Sequence, residues 1–301
     1  MTRRLILTVL LPAAAFFVVA AGFTAPDLRA QAGNRERTVY VSALDDKGES
    51  VEGLGPGDFI IREDGLRREV LRVSRAIEPI DIALLVDTSA SASNAIGSIR
   101  DGIRGFVAKM APQNQIAIIS LADRPTVLVD YTSDAKRLED GAGRLFSMSS
   151  SGMTLLDAIV ETSTGLRKRE TPRAVIVSVI TDGVEFTNRH YRDVIAAMNQ
   201  AGAALHALTI GGFYSTDDNA ERERAFVLDI GTKETGGQRV TLLADSAIIP
   251  ALVKLARELS SQYKVVYGRP ESLIPSQKTE ITSGRKDVKM HGAPARGQTG
   301  A

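Results

Sequence analysis

Between residues 80 and 262, apolar runs of strand length alternate with stretches in which apolar residues recur every three or four positions. The runs IDIALLVD, QIAIISLA, TVLVDY, AVIVSVIT and AALHALTI read as strands, several of them apolar at every position, as the central strands of a parallel sheet are. Helical periodicity falls on about residues 93–110, 133–146, 155–168, 191–201, 221–234 and 246–261. In the first of these, Ile96, Ile99, Ile103, Phe106 and Val107 form a stripe suited to packing on a sheet, with no cofactor implied. Strand followed by helix, repeated, predicts an α/β domain over residues 80–262 built on a doubly wound, mostly parallel, Rossmann-like sheet.

The flanks carry a different pattern. Over residues 38–78 the short runs VYVSAL, FIIRED and REVLRV are separated by Asp45-Asp46-Lys47-Gly48, by Gly53-Leu54-Gly55-Pro56-Gly57 and by Glu63-Asp64-Gly65, which predicts three strands joined by turns. The glycines at 53, 55 and 57 are not a dinucleotide fingerprint, because no helical pattern follows and the third falls at the wrong spacing. Late strands are expected within residues 263–291, at 263–268 and 278–289, with a turn at Ser283-Gly284-Arg285. Neither flank is long enough to bury much apolar surface alone, so the two are expected to pair into one small β-rich module. Residues 292–301, rich in glycine, proline and arginine, read as a disordered tail.

At the amino terminus, Arg3 and Arg4 precede an apolar run over residues 5–22 and a polar stretch containing Ala30-Gln31-Ala32. This is the order of a secretory signal peptide, residues 1–32, of the general rather than the twin-arginine type. It places the protein outside the cytoplasm, periplasmic or secreted. The alternative is an uncleaved anchor over residues 5–22, since a run of ~18 apolar residues is at the threshold for spanning a bilayer; only then is a membrane a partner.

Composition removes several classes of function. Among 301 residues, 37 basic and 36 acidic side chains leave a formal charge of +1, without the basic excess that nucleic-acid binding needs. The absence of cysteine excludes thiol catalysis, disulfides and Cys-based zinc sites. With only His190, His206 and His291, a His-rich metal centre is not expected, and His206, inside an apolar strand, reads as a core or edge histidine.

In a doubly wound sheet, ligands collect beyond the carboxyl ends of the strands, near the point where strand order reverses. There IDIALLVD ends at Asp87 and runs into Thr88-Ser89-Ala90-Ser91. AVIVSVIT ends in Asp182-Gly183, and the loop Ser149-Ser150-Ser151-Gly152-Met153-Thr154 leads into the helix beginning LLDAIV. Asp87, Ser89, Ser91, Thr154 and Asp182 are all oxygen donors, which suits a hard cation: Mg²⁺, with Mn²⁺ or Ca²⁺ as alternatives. Read singly, Ser89, Ser91 and Thr154 could each cap a helix, and Asp182 could be an ordinary turn residue. Asp157, in the first turn of its helix, reads as structural.

At these positions the chain resembles the von Willebrand factor type A domain, whose metal-ion-dependent adhesion site runs Asp-x-Ser-x-Ser, then a distant Thr, then a distant Asp. Asp87, Ser89, Ser91, Thr154 and Asp182 match in order, and the likeness spans about residues 80–261. The stretches VYVSALDDKGESVEGLGPGDFIIREDG and ELSSQYKVVYG resemble the flanks of bacterial secreted proteins of this type. The resemblance implies a metal-dependent interaction module in which the five residues hold Mg²⁺ and an Asp or Glu of a protein partner fills an open position. Such a module is not an enzyme and needs no small-molecule substrate. The alternative is a hydrolase or phosphoryl-transfer enzyme using the same pocket. Against it, G-x-S-x-G and a P-loop are absent, no second Asp follows two residues after Asp87, and only His190 is placed to serve Ser89.

Overall fold

The computed structural model describes residues 34–295 apart from 170, 212–217, 271–275 and 277; the leader read at residues 1–32 and the last six residues lie outside it. Its centre is a six-stranded sheet, β10-β9-β8-β5-β6-β7 in spatial order, formed by β5 (Asp81–Asp87), β6 (Gln115–Leu121), β7 (Pro125–Thr132), β8 (Ala174–Ile180), β9 (Ala203–Ile210) and β10 (Arg239–Leu242). Every pairing is parallel except that of β7 with β6. The fold class is therefore the mostly parallel α/β sheet that the apolar runs predict.

The apolar runs explain which strands are central. All residues of β5, β8 and β9 are buried, so alternate side chains feed two cores. Ile82, Leu84 and Val86 face α1 (Ile96–Met110) and α7 (Ile248–Ser260) through Ile99, Ile103, Phe106, Leu252 and Leu259. Ala83 and Leu85 face α3 (Leu155–Arg169) and α4 (Tyr191–Ala201) through Leu156, Ile159, Val194 and Met198. Because β6 lies on one side of β5 and β8 on the other, strand order reverses at β5, and a crevice opens beyond the carboxyl ends of β5 and β8.

The flanks form two antiparallel sheets. One runs β13-β1-β11-β4, from β13 (Lys289–Pro294), β1 (Asn34–Leu44), β11 (Tyr263–Pro270) and β4 (Val70–Arg75). The other runs β12-β2-β3, from β12 (Thr279–Ser283), β2 (Phe59–Glu63) and β3 (Leu66–Arg68). Carboxyl-terminal strands thus pair with amino-terminal ones in both, and Val39, Val41, Phe59, Ile61, Val265 and Tyr267 close a third core. These sheets and the α/β part belong to one unit, Asn34–Ala301.

Five elements differ from the sequence pattern. The run REVLRV divides at Glu69, whose carbonyl accepts the Gly268 N–H at 2.9 Å, so β3 and β4 enter different sheets. The expected helix 221–234 is α5 (Asn219–Phe226), a π-helix (Val227–Gly231) and α6 (Thr232–Glu234). Strand β10, four residues long, is too short to show alternation. The tail read as disordered from residue 292 continues instead as β13 through Pro294, because glycine there lets two backbones meet: a Cβ on Gly292 would stand 2.2 Å from the Tyr40 carbonyl oxygen. Residues 133–146 yield only α2 (Ala135–Ala142), started by the Asp134 cap on the Arg137 N–H.

A buried polar network fastens the β-rich sheets to the α/β part. Glu258 of α7 accepts hydrogen bonds from Ser42 of β1 (2.9 Å) and Gln238, and pairs with His291 of β13 (2.8 Å). Gln262 donates to Ser42 and accepts from Arg173. Burial pushes the Glu258 carboxyl up, but the His291 bond, the facing His206 and the Ser42 hydroxyl outweigh it and hold Glu258 below its ordinary value. His206 of β9 lies beside this network, 1% exposed, with neither ring nitrogen hydrogen-bonded among the described residues. Burial drives its pKa down to about 4, against the pull of Glu258 and with the push of His291.

That burial has a sign. His206 takes up its proton near 6.5 in the unfolded chain and near 4 in the folded one, so the unfolded state binds more protons in that window and stability falls as pH drops through it. Lowering pH from 7 to 5 should cost about 2 kcal/mol through this group. Urea denaturation at both values should show this loss as the difference between the wild-type protein and His206→Leu, in which every other titrating group is retained; the same pH dependence in both proteins would place it elsewhere.

Candidate functional site

The loops beyond β5 and β8 are organised around one buried carboxylate. Asp87 ends β5 with no exposed surface. Its Oδ1 accepts the Ser89 N–H at 2.8 Å, and its Oδ2 accepts the Thr181 N–H at 2.9 Å and the Thr181 hydroxyl. The hydroxyl row continues outward, with Ser91 Oγ 2.7 Å from Thr181 Oγ1 and Ser89 Oγ 2.8 Å from Ser91 Oγ. Thr88 points to the other side and donates to the Leu121 carbonyl at the end of β6. Alternation along the extended chain is what sends Asp87 and Ser89 one way and Thr88 the other.

Asp182 follows Thr181 and is exposed, its carboxylate against Gly211 at the end of β9. Gly211 has φ +93, and a Cβ there would stand 3.3 Å from Asp182 Oδ2. Gly183 is tighter still: a Cβ would fall 2.3 Å from Ser91 Oγ and 2.9 Å from Ser89 Oγ. The two glycines leave room around the hydroxyls and the carboxylate that any side chain would fill. Thr154 is buried one loop away, and its hydroxyl donates to the Ala122 carbonyl at 3.0 Å rather than to the other four residues. Its loop is stitched to the first: Ser147 Oγ donates to the Ser89 carbonyl, the Met148 N–H to that of Thr88, and the Ala90 N–H to that of Ser151. Ser150 at this loop's turn takes a left-handed backbone, φ 64, uncommon for a non-glycine residue.

The structure thus brings Asp87, Ser89 and Ser91 into one hydrogen-bonded row, sets Asp182 beside it, and holds Thr154 at the adjoining strand end. Every donor in the set is a hard oxygen, which fits Mg²⁺. Among the described residues no three His, Cys, Asp or Glu side chains cluster as a metal site, so a cation held here would draw on two carboxylates and on hydroxyls. His190 caps α4, its Nδ1 accepting the Arg192 N–H at 3.3 Å, and its ring stacks on Tyr191. Asp157 pairs with Arg189 at 2.8 Å and accepts from Thr187.

Three residues of the site escape a reading of the sequence. Thr181 looks like any strand-end hydroxyl. Glu185 is fully buried and accepts the Leu155 and Leu156 N–H groups, neutralising the open first turn of α3 directly after Thr154. Arg224 of α5 is also fully buried, donates to the Gly183 carbonyl and pairs with Glu185 at 3.9 Å. Burial pushes Glu185 up to about 7, against the opposing pull of the Leu156 N–H, Arg224 and the Leu155 N–H. The only sequence signal for the pair is an acid just after Asp182-Gly183; its partner lies in a helix without an apolar stripe. Because removing one member of a buried pair strands the other, Glu185→Ala should cost about 3–5 kcal/mol in urea denaturation, well above Asp182→Ala at the exposed position; equal small losses would show that Glu185 carries no such load.

Comparison with known proteins agrees with this fold. Residues 82–185 match the family model described as von Willebrand factor type A domain. A solved von Willebrand factor type A structure from Catenulispora acidiphila superposes with a TM-score of 0.52 at 9% identity, covering 90% of this chain and 67% of that one, a likeness of fold. The vWF domain of the type V pili tip protein Mfa5 from Porphyromonas gingivalis gives 0.45 at 12% identity, with 61% and 96% covered. No curated protein matches in sequence. The segment 82–185, which carries Asp87, Ser89, Ser91, Thr154 and Asp182, is thus the part of the chain that matches the von Willebrand factor type A domain.

Proposed function

We propose that the protein is an exported, metal-dependent protein-interaction module that captures an acidic side chain of a partner through Mg²⁺ held by Asp87, Ser89, Ser91, Thr154 and Asp182. The observation that carries this reading is the row Asp87–Thr181–Ser91–Ser89 beside Gly183, a pocket of hydroxyl oxygens that no Cβ intrudes on. When bound, Mg²⁺ supplies positive charge to a site whose two carboxylates balance it, so a partner carboxylate binds with charge assistance in a partly desolvated pocket. Asp87 anchors the row, the serines present their hydroxyls, and Arg224 and Glu185 hold the Asp182 and Thr154 loops in register. Mn²⁺ or Ca²⁺ could take the same place, Ca²⁺ less well because small hydroxyls make a tight shell.

Export is read from residues 1–32, which lie outside the described residues. Among the described residues no helix is long and apolar enough to cross a membrane. A binding role, rather than catalysis, is supported by Ser89 bonding to Ser91 and by His190 serving as a helix cap. No small-molecule substrate is proposed.

Two measurements test this reading. Mg²⁺ at millimolar concentration should raise the melting temperature of the wild-type protein, because a ligand that binds only the native state stabilises it by mass action. Asp87→Ala and Asp182→Ala should lose that rise, and Ser91→Ala should keep part of it, since water can replace a neutral hydroxyl; a full rise in Asp87→Ala would put the cation elsewhere. Fluorophosphonate probes should leave Ser89 unlabelled, and labelling that depends on His190 would make the protein a serine hydrolase.

A further inference from the structure

The rim of the site carries a second feature that the metal reading does not require. Phe146 (62% exposed), Met148 (54%), Val184 (49%) and Phe186 (55%) are large apolar side chains in the two loops that border Ser89, Ser91 and Asp182. Solvated side chains of this size are ordinary when scattered, but here they share one edge of the sheet. Backbone bonds join their loops: the Met148 N–H to the Thr88 carbonyl (2.8 Å), the Met153 N–H to that of Val184 (2.8 Å), and the Phe186 N–H to that of Met153 (2.7 Å). The Phe186 ring covers Gly152, where a Cβ would meet it at 2.1 Å. The collar is therefore presented by loops already fixed, which lowers the entropy lost on binding.

Two arginines beside the collar have partners of their own. Arg100 lies 5.0 Å over the Phe146 ring and donates to the Leu145 carbonyl, and Arg189 pairs with Asp157. A bound cation would then supply charge for a carboxylate, and the collar supplies apolar contact. We infer that the site takes a protein segment whose Glu or Asp is flanked by apolar side chains, the acid on the metal and the flanks on Phe146, Met148, Val184 and Phe186. This rests on the Mg²⁺ reading above and goes beyond it by naming what stands next to the acid.

Capped tripeptides separate the two ideas. In NMR-monitored titrations of the full protein with Mg²⁺, acetyl-Leu-Glu-Leu-amide should bind about tenfold more tightly than acetyl-Gly-Glu-Gly-amide, a difference apolar burial can supply. Replacing Mg²⁺ with EDTA, or Glu with Gln in the peptide, should abolish binding. The double variant Met148→Ser/Phe186→Ser should bind both glutamate peptides alike while keeping the Mg²⁺-dependent melting shift; Val184→Thr, which leaves the Phe186–Gly152 contact in place, should reduce the preference by itself. Equal affinity of the two peptides for the wild-type protein, both dependent on Mg²⁺, would overturn the collar and leave the metal reading standing. No Mg²⁺-dependent binding of either peptide would overturn both. Apolar binding that persists in EDTA, or Mg²⁺-driven dimerisation that buries the collar, would give the surface to a different occupant and overturn the inference.

Discussion

A carboxylate without solvent, at the end of the central strand, is the constraint on which the site depends. An ionised group taken out of water must be repaid by donors, and Asp87 is repaid by two backbone N–H groups and one hydroxyl from two different loops. Those bonds draw the end of β8 toward the end of β5. Once they meet, Ser89 and Ser91 have little choice but to line up outward, and Gly183 must be glycine where it passes them. The row of hydroxyls follows from satisfying one buried anion.

A second buried pair does the same work one layer further out. Glu185 closes the first turn of α3 and Arg224 holds the Gly183 carbonyl, so the Thr154 and Asp182 loops share a support supplied by α5. The junction between the β-rich sheets and the α/β part obeys the same physics, with Glu258 satisfied from β1 and β13 at once. In all three places a polar group in a dry interior fixes the relative position of elements that are distant in sequence.

Much of this was legible in the chain because burial and periodicity are local signals. Strands β5, β8 and β9 announce themselves by uninterrupted apolar runs, and the oxygen donors sit at their ends, where a doubly wound sheet opens its crevice. What stayed hidden depends on long-range pairing. Nothing around Arg224 singles it out until α5 is packed under Gly183, and Thr181 becomes distinctive only when Asp87 reaches it. Strand β13 was obscured by glycine and proline, yet Gly292 is what admits the strand against the backbone of Tyr40. The π-helix Val227–Gly231 leaves no periodic trace because it falls inside an otherwise helical run.

A cation among these hydroxyls is the central proposal, and its position can be tested directly. Crystals grown with Mn²⁺ in place of Mg²⁺, measured for anomalous scattering, should give a single strong peak at coordination distance from Ser89 and Ser91, between Asp182 and Thr154. A peak elsewhere, or none at a concentration that saturates the melting shift, would contradict the assignment and return the serines to the role of loop and helix caps.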